Sequence, residues 1–162
     1  MTQLRLMALA PLFFVGTALA QETQVAFGDA PQDIDAPVEI TSDQLDVDQE
    51  AGTALFTVDV VVIQGDMRLT APRVLVLYNE TQTAIDRVEA TGGVTLVSGP
   101  DEAEAERADY TITDGTIEMT GDVLLNQGLS SASSERLVVK LNEGTATLTG
   151  RVRTILQTGG DQ

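Results

Sequence analysis

A unit of 29 residues recurs along this chain. Gly92, Gly121 and Gly150 occupy the same position in three successive units, and Val58 occupies it in a longer first unit. Such self-similarity is typical of a body built by stacking one small structural unit, in which neighbouring units bury each other's apolar faces. The repeat therefore predicts a single elongated domain with a continuous interior.

Within each unit, apolar and polar residues alternate with a period of two. In the third unit, for example, Val123 and Leu125 share one face while Asp122 and Asn126 share the other. This period is that of a β-strand with one buried face, and the Asp-Gly pair at Gly115 is a strong hairpin signal. Because no helical period follows residue 20, we expect an all-β fold of repeated antiparallel strands.

The chain divides into four segments. Residues 1–20 have the layout of a signal peptide, with Arg5 before an apolar run and Ala18-Leu19-Ala20 at the expected cleavage site. Residues 21–37 are rich in Asp and Pro and are predicted to be a flexible leader. The folded domain is expected at 38–156 and a flexible tail at 157–162. The signal peptide predicts export to the periplasm.

Composition excludes several classes of function. The chain has no His and no Cys, so it lacks the residues for a Ser-His or Cys-His nucleophilic site and for thiolate or imidazole metal sites. It carries 25 acidic against 9 basic residues, and this excess of negative charge disfavours nucleic acid as a partner. A carboxylate-pair glycosidase would need aromatic sugar platforms, whereas only 4% of the residues are aromatic. We therefore predict no catalytic residues, no metal site and no cofactor.

The inward faces of the predicted strands share mid-sized aliphatic side chains with few large members. Such a lining is consistent with a packed core, and equally with a channel that an apolar ligand completes. The residues predicted to line such a groove for an apolar ligand are Phe56, Val60, Val62, Leu69, Val74, Val76, Leu96, Tyr110, Met119, Val123, Leu125, Val139 and Leu148.

The ordered blocks of this sequence resemble the LptA/OstA-like family of periplasmic lipopolysaccharide-transport bridge proteins. The resemblance rests on SDQLDVD at 42–48, FTVDVVVIQG at 56–65, APRV at 71–74, and the blocks MTGDV at 119–123 and LTGRV at 148–152. It covers about residues 38–156. One departure is Val58-Asp59-Val60, where the family commonly has Gly-Asn-Val.

The resemblance implies an open-ended β-jelly roll that carries lipopolysaccharide by its acyl chains between the inner and outer membranes. It also implies head-to-tail stacking with further copies and with homologous domains, one anchored in the inner membrane and one in the outer-membrane translocon. Unpaired strand edges can add to partner strands by β-augmentation. The residues predicted to lie on such edges are Val38, Ile40, Leu45, Val152 and Ile155.

Other interpretations share some of these features. A structural β-solenoid or filament subunit without lipid cargo would have the same repeat and the same open edges, but a fully packed interior. A membrane-anchored component of the same pathway would retain its amino-terminal segment. The edge strands could also be ordinary edges protected by their charges.

Overall fold

The computed structural model describes residues 22–157, which form eleven β-strands. The predicted signal peptide and residues 158–162 of the predicted tail lie outside the described part of the chain. The strands are β1 Thr23–Ala26, β2 Glu39–Thr41, β3 Gln44–Asp48, β4 Thr53–Gln64, β5 Met67–Tyr78, β6 Ile85–Ser98, β7 Asp101–Thr111, β8 Thr116–Gln127, β9 Ser130–Lys140, β10 Thr145–Thr149 and β11 Arg153–Ile155.

All strand pairs in the described chain are antiparallel, and strands β4 to β10 pair in chain order through hairpins. The sheet runs β1-β10-β9-β8-β7-β6-β5-β4-β2, with β3 also on β4 and β11 also on β9. This order is what stacked two-strand units produce, and the predicted all-β fold is confirmed. Among residues 22–157, no helix is long and apolar enough to cross a membrane.

Each long strand bends in its middle, where the pairing register shifts. In β4, β6 and β8 the bend lies at the recurring position of the 29-residue unit and at the residue that follows it. Both residues have positive φ; in β4 they are Val58 (φ 65°) and Asp59 (φ 50°). Glycine adopts this conformation without steric cost, which explains Gly92 and Gly121 at the recurring position. The two-residue bulge restores the alternation, so both halves of a strand present apolar residues to the same interior.

The interior is a single apolar cluster that both halves of the bent sheet enclose. Its members come from every long strand, β4 to β9, and from β10, and most are fully buried. Val58 is an exception to the predicted alternation, because its position in the bulge turns the side chain outward and leaves it 44% exposed. The bent sheet thus has its bends along one side and its hairpin turns along the other.

The predicted flexible leader is instead packed and hydrogen-bonded against the domain, so that prediction is wrong for the described residues 22–37. β1 lies within it and pairs with β10 in the register Val25 opposite Ala146. Phe27 follows and is only 2% exposed within the core. The local sequence is polar, but burial of one aromatic ring and strand pairing order it.

At each end of the sheet, two short strands take the place of one long strand. β2 and β3 pair with the two halves of β4, and β10 and β11 pair with the two halves of β9. At the amino-terminal end of the sheet, β2 and β3 are both edges. At the carboxy-terminal end β11 is an edge, whereas β10 is covered by β1.

Candidate functional site

The structure brings the predicted groove residues together in the interior. Phe56 is partly buried against the cluster, and the other twelve are buried members of it. The two bent halves contribute about equally, with Val76 and Leu148 on one half and Leu69 and Leu125 on the other. Their shared location is a structural fact, whereas their role in binding lipid stays a prediction.

Several buried apolar residues were not among the predicted groove residues. Met67 lies at the start of β5, Ile117 and Leu137 extend the lining in β8 and β9, and Phe27 enters from the leader. Ile117 and Leu137 follow the same alternation as their neighbours, so that signal could have found them. For Phe27 the only local signal is its spacing of two from Val25 in an otherwise polar segment.

At the amino-terminal end, the inward face of the sheet is uncovered. In β3, Leu45 stands opposite Phe56 and Val47 stands opposite Ala54. Directly opposed residues in antiparallel strands project from the same face, so Leu45 and Val47 belong to the lining. They are nevertheless 53% and 62% exposed, because no described residue covers them.

At the carboxy-terminal end, a cavity of about 320 Å³ opens between the two halves of the sheet. Its wall is predominantly apolar and includes two residues of the buried cluster, Leu125 and Leu148. The residues around it are Thr23, Val25, Leu125, Gln127, Ser130, Ser131, Ala132, Leu148, Thr154 and Leu156. The lining is therefore accessible from this end as well.

The five predicted edge residues do not behave alike. Leu45 and Ile155 lie on the edge strands β3 and β11 and are exposed. Val38, Ile40 and Val152 are partly buried and pack against the core. Only the first two therefore present apolar side chains freely, and contact of any of the five with a partner stays a prediction.

Few polar groups reach the interior, and most have partners. The Tyr110 hydroxyl donates to Gln64 Oε1 at 2.5 Å. Burial raises the pKa of Tyr110 to about 12, against the opposing effect of that hydrogen bond, so the phenol is neutral at ordinary pH. Asp101 accepts from the Gly28 backbone N–H at 2.8 Å and from Gln127 Nε2 at 3.0 Å. In the described residues no group of three or more acidic side chains is arranged to hold a metal ion.

Charged side chains pair on the outward face of the sheet. Arg107 contacts Asp109 at 2.6 Å and Glu89 at 2.9 Å, and these hydrogen bonds raise the pKa of its guanidinium. Arg136 makes the equivalent pair with Glu118 one unit later, at 2.8 Å. Cross-strand pairs of opposite charge support sheet register. The recurring arginines thus belong to the outer surface, and the interior stays apolar.

Comparison with known proteins identifies relatives of this chain. Residues 39–153 match the family model described as LptA/(LptD N-terminal domain) LPS transport protein. An uncharacterized protein of Rhizobium meliloti (strain 1021), R00383, is 33% identical over 107 residues, which cover 62% of this chain and 58% of that protein. This chain thus spans less than two thirds of the relative's length.

A solved structure shares the fold. The crystal structure of LptH from Pseudomonas aeruginosa, described as the LptA-homologous periplasmic component of the lipopolysaccharide transport device, superposes with a TM-score of 0.70. The match covers 79% of this chain and all of LptH at 18% identity. The likeness confirms the β-jelly roll. Because the family match spans most of the chain and agrees with this fold, the chain belongs to the LptA/(LptD N-terminal domain) family of lipopolysaccharide transport proteins.

Proposed function

We propose that this protein binds the acyl chains of lipopolysaccharide between the two halves of its bent sheet and passes the lipid along its length through the periplasm. The observation that carries the proposal is the continuous apolar lining that is accessible at both ends. At one end Leu45 and Val47 extend it into solvent, and at the other it reaches the cavity beside Leu125 and Leu148.

The energetics of lipid transfer support such a lining. Exposure of an acyl chain of about twelve methylenes to water costs roughly 10 kcal/mol at about 0.8 kcal/mol per CH₂, and several chains multiply that cost. A row of aliphatic side chains lowers this barrier along the whole path. The chemically similar Val and Leu side chains allow the lipid to slide without a strong trap, because the buried carboxylate of Asp101 lies at the start of β7 and is held there by Gly28 and Gln127.

The ends of the sheet support the bridging part of the proposal. β2, β3 and β11 have unpaired edges, to which a strand of a second copy or of a homologous domain can add. Addition at both ends aligns the linings of successive molecules head to tail. We infer that the partners are copies of this chain and homologous domains, one anchored in the inner membrane and one in the outer-membrane translocon.

A second candidate is a filament subunit without lipid cargo. The observation that favours it is the tight burial of the central lining, where Val74, Leu96 and Leu137 have no exposed surface. A subunit of this kind would use the same edges for assembly. It would, however, contact no lipid in its interior.

Site-specific photo-crosslinking in cells separates the two candidates. The photoreactive residue is placed at inward Val76 or Leu125, with outward Asp59 and Asp122 as matched controls in the same strands or their neighbours. We expect lipopolysaccharide adducts at the inward positions only. Adducts at all four positions, or at none, would contradict transport through the interior and leave the filament subunit as the better explanation.

A further inference from the structure

The segment that follows β1 closes the side of the molecule on which the hairpin turns lie. We call residues 27–38 the strap. Its backbone first hydrogen-bonds to the β9–β10 turn, where Phe27 N–H donates to Gly144 O. The next residue, Gly28, donates its N–H to the carboxylate of Asp101, which belongs to the other half of the bent sheet. The strap ends at β2, which pairs with β4. The strap thus runs from the carboxy-terminal to the amino-terminal end of the sheet.

Its middle continues to bridge the two rows of turns. Gln32 N–H donates to Leu141 O on one side, while Gln32 Oε1 accepts from Asp66 N–H on the other. Ile34 then lies against Gly115, in the β7–β8 turn. The halves of the sheet are joined covalently at the bends, and the strap joins them where the turns face each other.

The strap also places apolar side chains in the interior. Phe27 is buried within the apolar cluster, and Ile34 packs against it. The hairpin turns of the two halves form two facing rows, and these side chains fill the gap between the rows. Because the central lining is already packed, an acyl chain can lie along it only if the halves separate or a side chain leaves.

The hydrogen bonds that attach the strap are few, in contrast to those that hold the sheet together. From Gly28 to Val38 it has no strand pairing, whereas β5 and β6 pair at ten positions. The most buried side chain that hydrogen-bonds to the strap is Gln64, which is 3% exposed. The Gln64 amide donates to Ile34 O at 2.8 Å and to Ala36 O at 2.9 Å, and its oxygen accepts from Tyr110. Segments with few cooperative bonds open at the lowest free-energy cost.

We propose that the strap is a lid on the lipid path, that Gln64 is its latch, and that acyl chains occupy the interior after the strap leaves the gap between the rows of turns. This inference rests on the proposed function. It adds a lateral opening to the two end openings. The alternative is that chains thread in through the ends while the strap stays in place.

A disulfide can lock the strap without disturbing other thiols, because the chain has no cysteine. A Cβ built on Gly115 lies 3.6 Å from the Ile34 Cβ, within the usual separation of 3.5–4.5 Å for disulfides. The experiment compares oxidised and reduced Ile34→Cys/Gly115→Cys for uptake of fluorescently labelled lipopolysaccharide. The reduced form of the same protein controls for the strain of a side chain at Gly115, where φ is 61°.

We expect the oxidised form to take up lipopolysaccharide at least about tenfold more slowly than the reduced form, a difference of about 1.4 kcal/mol in the barrier. Equal uptake by the two forms overturns the lid but leaves the proposed function standing. Absence of uptake by the unmodified protein overturns the proposed function and the lid with it.

A second pair of variants tests the latch and does not depend on a disulfide. Gln64→Leu removes both hydrogen bonds to the strap. Arg136→Gln is the control, because it removes hydrogen bonds to Glu118 on the outward face of the sheet, away from the strap and the groove. We expect Gln64→Leu to speed amide hydrogen exchange in the strap and lipopolysaccharide uptake several-fold, and Arg136→Gln to change both much less. Equal effects of the two variants, or an effect on neither rate, contradict the role of the latch.

Discussion

The two ends of the sheet are built differently. At the amino-terminal end, β2 and β3 leave both halves of the edge unpaired, and Leu45 and Val47 project from the lining into solvent. At the carboxy-terminal end, β1 covers β10, and a cavity lies beneath it between the halves. One end therefore presents apolar side chains and the other an apolar recess. Complementary ends of this kind favour head-to-tail contacts over contacts between like ends.

The largest expected difference between the ends is in stability. Leu148→Ala, beside the carboxy-terminal cavity, removes a fully buried side chain and is expected to lower the free energy of unfolding by about 2–5 kcal/mol. The same change at Leu45 is expected to cost less than about 0.5 kcal/mol, because the side chain is already half exposed. Urea denaturation of dilute, monomeric protein measures both. Similar losses of stability at the two positions would contradict the burial of Leu148 and the exposure of Leu45.

The next effect is on self-association. Leu45→Asp/Val47→Asp places charges on the apolar surface of the amino-terminal end, and we expect it to weaken head-to-tail association about tenfold or more, or at least about 1.4 kcal/mol. Sedimentation equilibrium measures the association constant. Tyr78→Asp is the control, since Tyr78 is 39% exposed but lies in β5, which pairs with β4 and β6 and is not at an end of the sheet.

A mixing experiment sharpens the same prediction. Ala132→Phe fills the carboxy-terminal cavity, of which Ala132 forms part of the wall. Each variant alone has one damaged end, but a mixture contains one intact end of each kind and is expected to form a heterodimer. The ends do not form a complementary pair if the wild-type protein and the mixture both fail to associate. The same conclusion follows if the association constant of the mixture is no higher than that of either variant alone.

The smallest effect concerns the bend nearest the amino-terminal end. Val58 holds a β-branched side chain at φ 65°, whereas Gly92, Gly121 and Gly150 stand at the equivalent bends. Relief of about 1–2 kcal/mol of backbone strain exceeds the entropic cost of glycine, about 0.5–1 kcal/mol, so Val58→Gly is expected to stabilise the protein by roughly 0.5–1 kcal/mol. Thermal unfolding followed by circular dichroism measures the change.

The reciprocal substitution provides the control for this prediction. Gly121→Val adds a Cβ that would lie 2.7 Å from the Glu106 Cβ, in addition to the strain at φ 87°. It is expected to destabilise the protein by more than Val58→Gly stabilises it. A loss of stability in Val58→Gly would show that contacts of the Val58 side chain outweigh the strain of its backbone.

The repeat and the period of two made most of the sheet predictable. Local alternation is sufficient to place Val123 and Leu125 on the inward face, and the Asp-Gly pair is sufficient to place the β7–β8 turn. The bulge at Val58 was not predictable from alternation. Because it spans two residues, the inward and outward positions before it stay in step with those after it. Only the backbone conformation reveals that Val58 itself points outward.

The strap was missed for a different reason. Its order depends on contacts distant in sequence, such as Phe27 in the core and Gln64 beneath Ile34 and Ala36. In this polar, proline-containing segment, the spacing of Phe27 from Val25 is a weak local signal for burial, and the contacts with Gln64 leave no local pattern in the sequence. The exposure of Leu45 and Val47 was not predictable either. Their alternation gives an inward face, but it cannot show that no residue of the described range 22–157 covers that face.

The 29-residue unit also sets a length scale for the molecule. Each unit contributes two strands, and neighbouring strands are spaced about 4.7–4.9 Å apart, so one further unit would lengthen the apolar path by roughly 9–10 Å. Insertion of a unit between β7 and β8 would leave both terminal surfaces intact. Duplication of one unit within the gene would therefore change the span of such a protein while both terminal surfaces stay the same.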